Sequence, residues 1–273
     1  MVIQRLKIQR SGSSDVFEYE FFPTLNLIKS RYPDEIAYAI QQVTNHRNSC
    51  LPVPRASRST KIEAWVGLSQ ASYRLVATPD PQKSDLCLRA YDEDGNEKTR
   101  EYRYLTAHCA EQDLCEVFDA DPEKPFFKPI QYLDEDHYYA SNELSSSTDR
   151  LSETKSFRSY LKDFIKAFRP ELIRDGKRYE LCLQKNGRYV VRYRDDHGAP
   201  VLLSESEQTL FRYLCFLRTA EFWRGFEDLR NLHGVKKPIL VKGFLERLDE
   251  SIDIQEILER TRRLNRQTII LTV

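Results

Sequence analysis

The sequence has no surplus of charge: 42 Lys and Arg residues balance 42 Asp and Glu over 273 positions. Without a global positive field, any contact with nucleic acid must come from a local basic patch. No apolar stretch approaches the roughly 18–20 residues that a membrane-crossing helix needs, so no membrane role is expected. The opening MVIQRLKIQR alternates like a strand and lacks the continuous apolar segment of a secretory signal. Cysteine is scattered, at positions 50, 87, 109, 115, 182 and 215, mostly inside apolar runs. Packed, reduced thiols in a cytoplasmic protein are the expectation. His108, Cys109 and Cys115 form the only Cys/His cluster, and their spacing fits no familiar zinc pattern. No internal repeat and no sustained heptad pattern is present, which excludes a solenoid or a long coiled coil.

What is there is a chain 40% hydrophobic, enough for one large domain or two fused lobes. The first third reads as short strands: Val2–Gln9, Val16–Phe22 and Leu25–Lys29, with a turn at Ser11-Gly12-Ser13-Ser14. A helix follows over Asp34–Val43, with Ile36, Ala37, Ile40 and Val43 on one face. A meander comes next: Lys61–Leu68, Tyr73–Thr78, Leu86–Tyr91 and a further strand at Glu101–Leu105. Its acidic turn, Asp92 to Asn96, reads as a solvated hairpin tip, with a divalent-ion loop as the alternative. Residues 121–155 hold Pro122, Pro125, Pro129 and a Ser/Thr run, the composition of a connecting segment. Asp134, Glu135, Asp136 and His137 within it read as a solvated loop, because four adjacent polar residues do not easily face one ion. Phe157, Tyr160, Leu161, Phe164, Ile165 and Phe168 then repeat at helical spacing, and Pro170 stops the helix. Lys155 to Arg178 is rich in base, and Lys162, Lys166, Arg169 and Arg174 are its candidate nucleic-acid contacts. A hairpin (Tyr179–Gln184, Arg188–Tyr193) and Val201-Leu202 lead to LSESEQ, where Ser204 and Glu207 have the spacing of a capping box. Strand Ile239–Val241, helix Ile254–Leu264 and strand Thr268–Thr272 close the chain. The expected division is an N-terminal strand-rich lobe (1–120), the connection (121–155) and a C-terminal lobe (156–273).

The order of these elements resembles the ATPase heads of the SMC/RecF/RecN-like branch of the ABC superfamily. In such heads a signature LSGGE opens a helix, a Walker B strand ends in Asp-Glu, and a Leu-Asp D-loop follows. Here LSESEQ (Leu203 to Gln208) opens a helix, and LDESID with Leu248 and Asp249 follows the strand at 239–241. The front end is similar too: two strands, then LNLI, a turn, and a helix with Ala39-Ile40. The resemblance covers about residues 1–45 and 180–273. It implies a mixed α+β, two-lobed head, with an N-terminal antiparallel meander lobe and a C-terminal α/β lobe.

The departures from the family pattern concern the chemistry. A phosphate-binding loop needs glycines so that successive N–H groups converge on phosphate oxygens, a lysine, and a hydroxyl for magnesium. The turn here is KSRYPDE, from Lys29 and Ser30 onward, without glycine. Pro33 falls on the lysine position and Asp34 on the hydroxyl position. Lys242 falls on the Walker B aspartate and Gly243 on the glutamate that polarises the attacking water. Glu205 and Ser206 replace the signature glycines, while Leu203, Ser204 and Glu207 match. Val273 follows Thr272 where a switch histidine is expected.

What the resemblance implies is therefore a head without ATPase chemistry and without a coiled-coil arm. It is expected to act as a scaffold or regulatory subunit, pairing with itself or with an intact SMC/RecF-like ATPase through the LSESEQ helix and the LDESID loop. No cofactor is expected. ATP with magnesium remains the alternative, in a divergent ATPase of genome maintenance that recruits Lys29, Asp249 or Glu250, and so does a DNA-binding module. Lys242 is expected either to end its strand at the surface or to act as a cation in the magnesium position, filling the site or pairing with Asp249.

Overall fold

A computed structural model describes residues 1–10, 14–44, 61–68, 71–79, 86–106, 115–120, 178–183, 189–194, 197, 200–214, 216–217, 237–250 and 252–273. The expected helix at 157–168, the connection at 121–155 and the candidates Lys162, Lys166, Arg169 and Arg174 lie outside these residues. The chain forms two compact units: Met1–Asp119, Glu221–Glu246 and Glu256–Val273 in the first, Ala120–Ala220 and Arg247–Gln255 in the second. The stretch 156–273 is thus divided between them.

Strands β1 (Val2–Gln9), β2 (Val16–Glu20), β3 (Leu25–Lys29), β4 (Lys61–Gly67), β5 (Ser72–Pro79) and β6 (Leu86–Tyr91) belong to the first unit. Five of them form an antiparallel sheet in the order β2-β1-β4-β5-β6. Alternation fixes its two faces: Leu6, Ile8, Ile62, Ala64, Val66, Leu75 and Ala77 point into the core. A bulge between Ile3 and Arg5 resets β1 by one residue, so Ile3 and Leu6 both reach the core. The second sheet is parallel, in the order β3-β12-β11-β7, with β7 (Glu116–Asp119), β11 (Ile239–Lys242) and β12 (Thr268–Thr272). Both faces of its central strands are covered, and Ile239 to Val241 and Ile269 to Leu271 are all buried. Such strands read as continuous apolar runs rather than as alternation.

Helix α1 (Pro33–Thr44) meets β1, β4 and β5 of one sheet and β11 and β12 of the other. That explains why Ile36 through Ile40 are all buried, not only one stripe. At roughly 1.5–3 kcal/mol for each fully buried large aliphatic side chain, Ile36, Ile40 and Val43 hold it firmly between the sheets.

One expectation fails here. Residues 101–105 are not a strand: helix α2 runs over Thr99–Leu105. The Tyr102/Tyr104 alternation suggested a strand, but Tyr102 is 2% exposed and Tyr104 69%. The periodicity that decides is three, through Thr99, Tyr102 and Leu105–Thr106. Tyr102 packs edge-on against Tyr73. Strand β7 has no counterpart in the expected elements.

In the second unit, β8 (Arg178–Leu183), β9 (Tyr189–Arg194) and β10 (Pro200–Leu202) make an antiparallel sheet in the order β10-β9-β8. Helix α3 starts at 205 and is followed through 214. A 3-10 turn at Leu245–Arg247 and helix α4 (Ile254–Arg263) precede β12.

Candidate functional site

The carboxyl ends of parallel strands are where folds of this kind gather ligands. Here β11 ends in Lys242, β7 in Asp119 beside it in register, and β3 in Lys29 next to the turn into α1. Lys242 forms an ion pair with Asp34, in the first turn of α1, and its Nζ lies 3.8 Å from the Asp119 carboxylate. A surface strand end, a cation filling the magnesium position and a pair with Asp249 were the expected alternatives. Within the first unit, strand register instead brings Lys242 to Asp119 and the N-terminus of α1. Nothing in the sequence announced Asp119, because four residues of a buried parallel strand carry no period of their own.

The turn before α1 is closed by its own groups. Ser30 N–H donates to the Thr272 carbonyl at 2.9 Å, and the Ser30 hydroxyl accepts from Tyr32 N–H at 3.1 Å. Pro33 is the first helical residue, where its missing N–H costs nothing and its fixed φ suits the helix. The N–H groups of Glu35 and Ile36 both donate to the Tyr32 carbonyl. Asp34 and Glu35 complement the helix dipole. Arg10, at the end of β1, makes a two-point contact with Glu35, its Nε donating at 3.0 Å. The same guanidinium lies 4.5 Å from the Tyr32 ring centre and 5.0 Å from that of Phe17. This cluster escaped sequence reasoning because its members come from three elements.

Asn26, of the LNLI stretch, is 5% exposed and holds the preceding turn. Its side-chain oxygen accepts from Phe22 N–H at 2.7 Å, and its amide donates to the Phe22 carbonyl at 2.9 Å. Past the end of β11, Gly243 has φ +65°, in the left-handed region where a side chain is strained.

The signature-like and D-loop-like residues meet in the second unit. Ser204 and Glu207 form the capping box: Ser204 N–H donates to the Glu207 carboxylate at 2.7 Å, and Glu207 N–H donates to the Ser204 hydroxyl at 3.2 Å. Gln208 donates to the Leu203 carbonyl at 2.8 Å, and Leu203 itself is buried. The Ser206 hydroxyl accepts from Asp249 N–H at 2.7 Å, which ties the loop after Leu248 to the first turn of α3. Glu205 pairs with Arg247 at 2.5 Å. The side chains of this motif are thus engaged with one another, and the Asp249 side chain remains at the surface.

The acidic turn of the meander is closed by its own carboxylate. Asn96 donates to Asp92 from its backbone N–H at 2.8 Å and from its side chain at 3.1 Å, and Gly95 takes φ +85°. Desolvation pushes the Asp92 carboxyl up, but the two Asn96 hydrogen bonds, the charge of Lys98 and the Asp94 N–H together hold it below its ordinary value. Asp92 is therefore spent on the turn.

No family model matches the chain, and no curated protein matches it in sequence. Solved structures do match in shape. An SMC head bound to the C-winged helix domain of ScpA superposes with a TM-score of 0.59 at 11% identity, over 100% of this chain and 90% of that one. The recombination mediator protein RecF with ATP gives 0.51 at 12% identity, over 99% and 93%. The SMC head domain from Thermotoga maritima gives 0.50 at 10% identity, over 100% and 89%.

Proposed function

The chain has the fold of an SMC- or RecF-type ATPase head, and from that premise we propose that it works without ATP hydrolysis, as a scaffold or regulatory subunit. It pairs with a second copy of itself or with an intact ATPase of the same fold. The observation that carries this reading is the ion cluster of Lys242, Asp34 and Asp119 at the end of the parallel sheet. Magnesium needs oxygen donors, and the carboxylates of Asp34 and Asp119 that could supply them here face the Lys242 ammonium instead of a metal ion. A triphosphate needs converging N–H groups, but Pro33 has none, and those of Glu35 and Ile36 are used by Tyr32. Asp34 and Glu35 add negative charge where phosphates carry their own. The donor set does not fit a magnesium nucleotide.

The same reading assigns the pairing surface to the start of α3 and the loop around Asp249. The Ser206–Asp249 and Glu205–Arg247 contacts support it, because they give that surface one defined shape.

Isothermal titration with ATP, with and without magnesium, tests the proposal on the full chain. The expected outcome is no heat of binding in the micromolar range. A micromolar dissociation constant overturns it, and phosphate release that disappears in Asp249→Ala favours a divergent ATPase instead.

A further inference from the structure

The antiparallel sheet of the first unit has one face in the core; the other carries a cross-strand row that neither ATPase chemistry nor pairing uses. Register lines up Glu20 of β2, Arg5 of β1, Trp65 of β4, Arg74 of β5 and Tyr91 of β6, one residue from each strand. Arg5 lies 4.8 Å from the centre of the Trp65 ring, and Arg74 lies 5.3 Å from that of Tyr91. Guanidinium planes and aromatic rings therefore alternate across the sheet at the inter-strand spacing of about 4.8 Å.

The charges on this face are unevenly distributed. On the β2–β1–β4 side the acids are largely matched: Glu18 pairs with Arg5, and Glu63 with Lys61. On the β5–β6 side, Arg74 and Arg89 are exposed, and Arg74 has no carboxylate partner among the described residues. Arg89 stands two residues from Tyr91 on β6, on the same face, and the backbone of Tyr91 bridges that of Glu97 beyond it. Helix α2 meets β6, with Tyr102 against Tyr73 on the core side. Among the described residues, no helix packs on the outer face.

We propose that this face binds single-stranded nucleic acid, with bases stacking on the Trp65–Arg74–Tyr91 row and phosphates meeting Arg74 and Arg89. Unstacked bases present flat π faces, which pair with aromatic rings and with guanidinium planes alike. A duplex hides those faces and offers only its backbone and groove edges, so the row selects the single strand. The residues of this row are other than the basic candidates at 155–178, and the proposal does not rest on the ATPase-site reading.

The test uses the full chain and labelled oligo-dT and oligo-U, read by fluorescence anisotropy at low salt. Both are expected to bind, with affinity falling linearly on a log–log salt plot by a slope of roughly −1.4, as two phosphate contacts give. Tighter oligo-U assigns the face to RNA and tighter oligo-dT to DNA; either supports the platform. Arg74→Glu is expected to weaken binding about ten-fold or more. Tyr91→Ala is expected to weaken it about five-fold or more, and Tyr91→Phe, which keeps the ring, to restore it. Circular dichroism checks that the variants are folded. Binding quenches Trp65, so intrinsic fluorescence stops responding in Trp65→Phe. Absence of binding at low salt overturns the proposal. So does equal affinity in Arg74→Glu and Tyr91→Ala, or a duplex of the same length bound as tightly as the strand.

Discussion

At the scale of single residues, position 242 concentrates the meaning of the fold. Its side chain is 31% exposed and that of its partner Asp34 is 72% exposed, so solvent screens much of the attraction. Lys242→Ala is expected to cost no more than about 1 kcal/mol in urea unfolding. Lys242→Asp is expected to cost more, because it gathers like charges from Asp34 and Asp119. The double variant Lys242→Asp with Asp34→Lys is expected to recover part of that loss, and a coupling energy of zero in this cycle removes the pair from the account. The lysine itself was legible in the sequence, as a break in an apolar run at a position where the ATPase heads that the sequence resembles are expected to have an acid. Its partners were not, because Asp34 is fixed by where α1 begins and Asp119 by the register of a strand without a pattern.

At the scale of elements, capped and strongly periodic pieces were readable and short ones were not. Ser204 and Glu207 announced the start of α3 through their spacing, and the capping box has those hydrogen bonds. Helix α2 has seven residues and two tyrosines at strand spacing, so local pattern misled. What decides is tertiary: Tyr73 on β5 donates to Glu101 on α2 at 2.8 Å, locking the helix to the sheet. Burial, then the Glu101 hydrogen bond and charge, push the Tyr73 hydroxyl up to about 12. The folded state therefore favours the neutral phenol. Its contribution is complete below the unfolded value of about 10 and is lost as pH rises towards the folded value. The stability gap between the parent and Tyr73→Phe is expected to narrow between those two pH values, as followed by urea midpoints. A gap that stays constant across that window contradicts the linkage.

At the scale of the molecule, the ends of the sequence meet inside the first unit. Gln267, just before β12, is 3% exposed. It accepts from Ile3 N–H at 2.7 Å and donates to the Ile3 and Phe22 carbonyls at 2.6 and 2.9 Å. One amide thus ties the first strand, with its bulge, to the last. Gln267→Leu leaves the Ile3 groups buried without this partner and is expected to destabilise the first unit by roughly 2–4 kcal/mol. A change below about 0.5 kcal/mol in chemical denaturation means that the clamp is replaceable. The order of elements made the head fold legible, since the strands, the signature-like helix and the Leu-Asp loop occur in sequence. The interleaving was not, because a return of residues 221–246 and 256–273 to the first unit leaves no mark on local composition.

The left-handed backbone at Gly243 bears on which neighbouring sequences are reachable. A glutamate there must adopt φ near +65°, at a cost of about 1–2 kcal/mol for a residue with a Cβ. An aspartate at 242, taken first, removes the Lys242 ammonium and brings a third carboxylate to Asp34 and Asp119. Either first step towards an acidic strand end goes downhill in stability before it brings any benefit. Single substitutions therefore lead away from that corner of sequence space more easily than into it, and a designer seeking to install hydrolysis must reshape the backbone after β11 before adding acids.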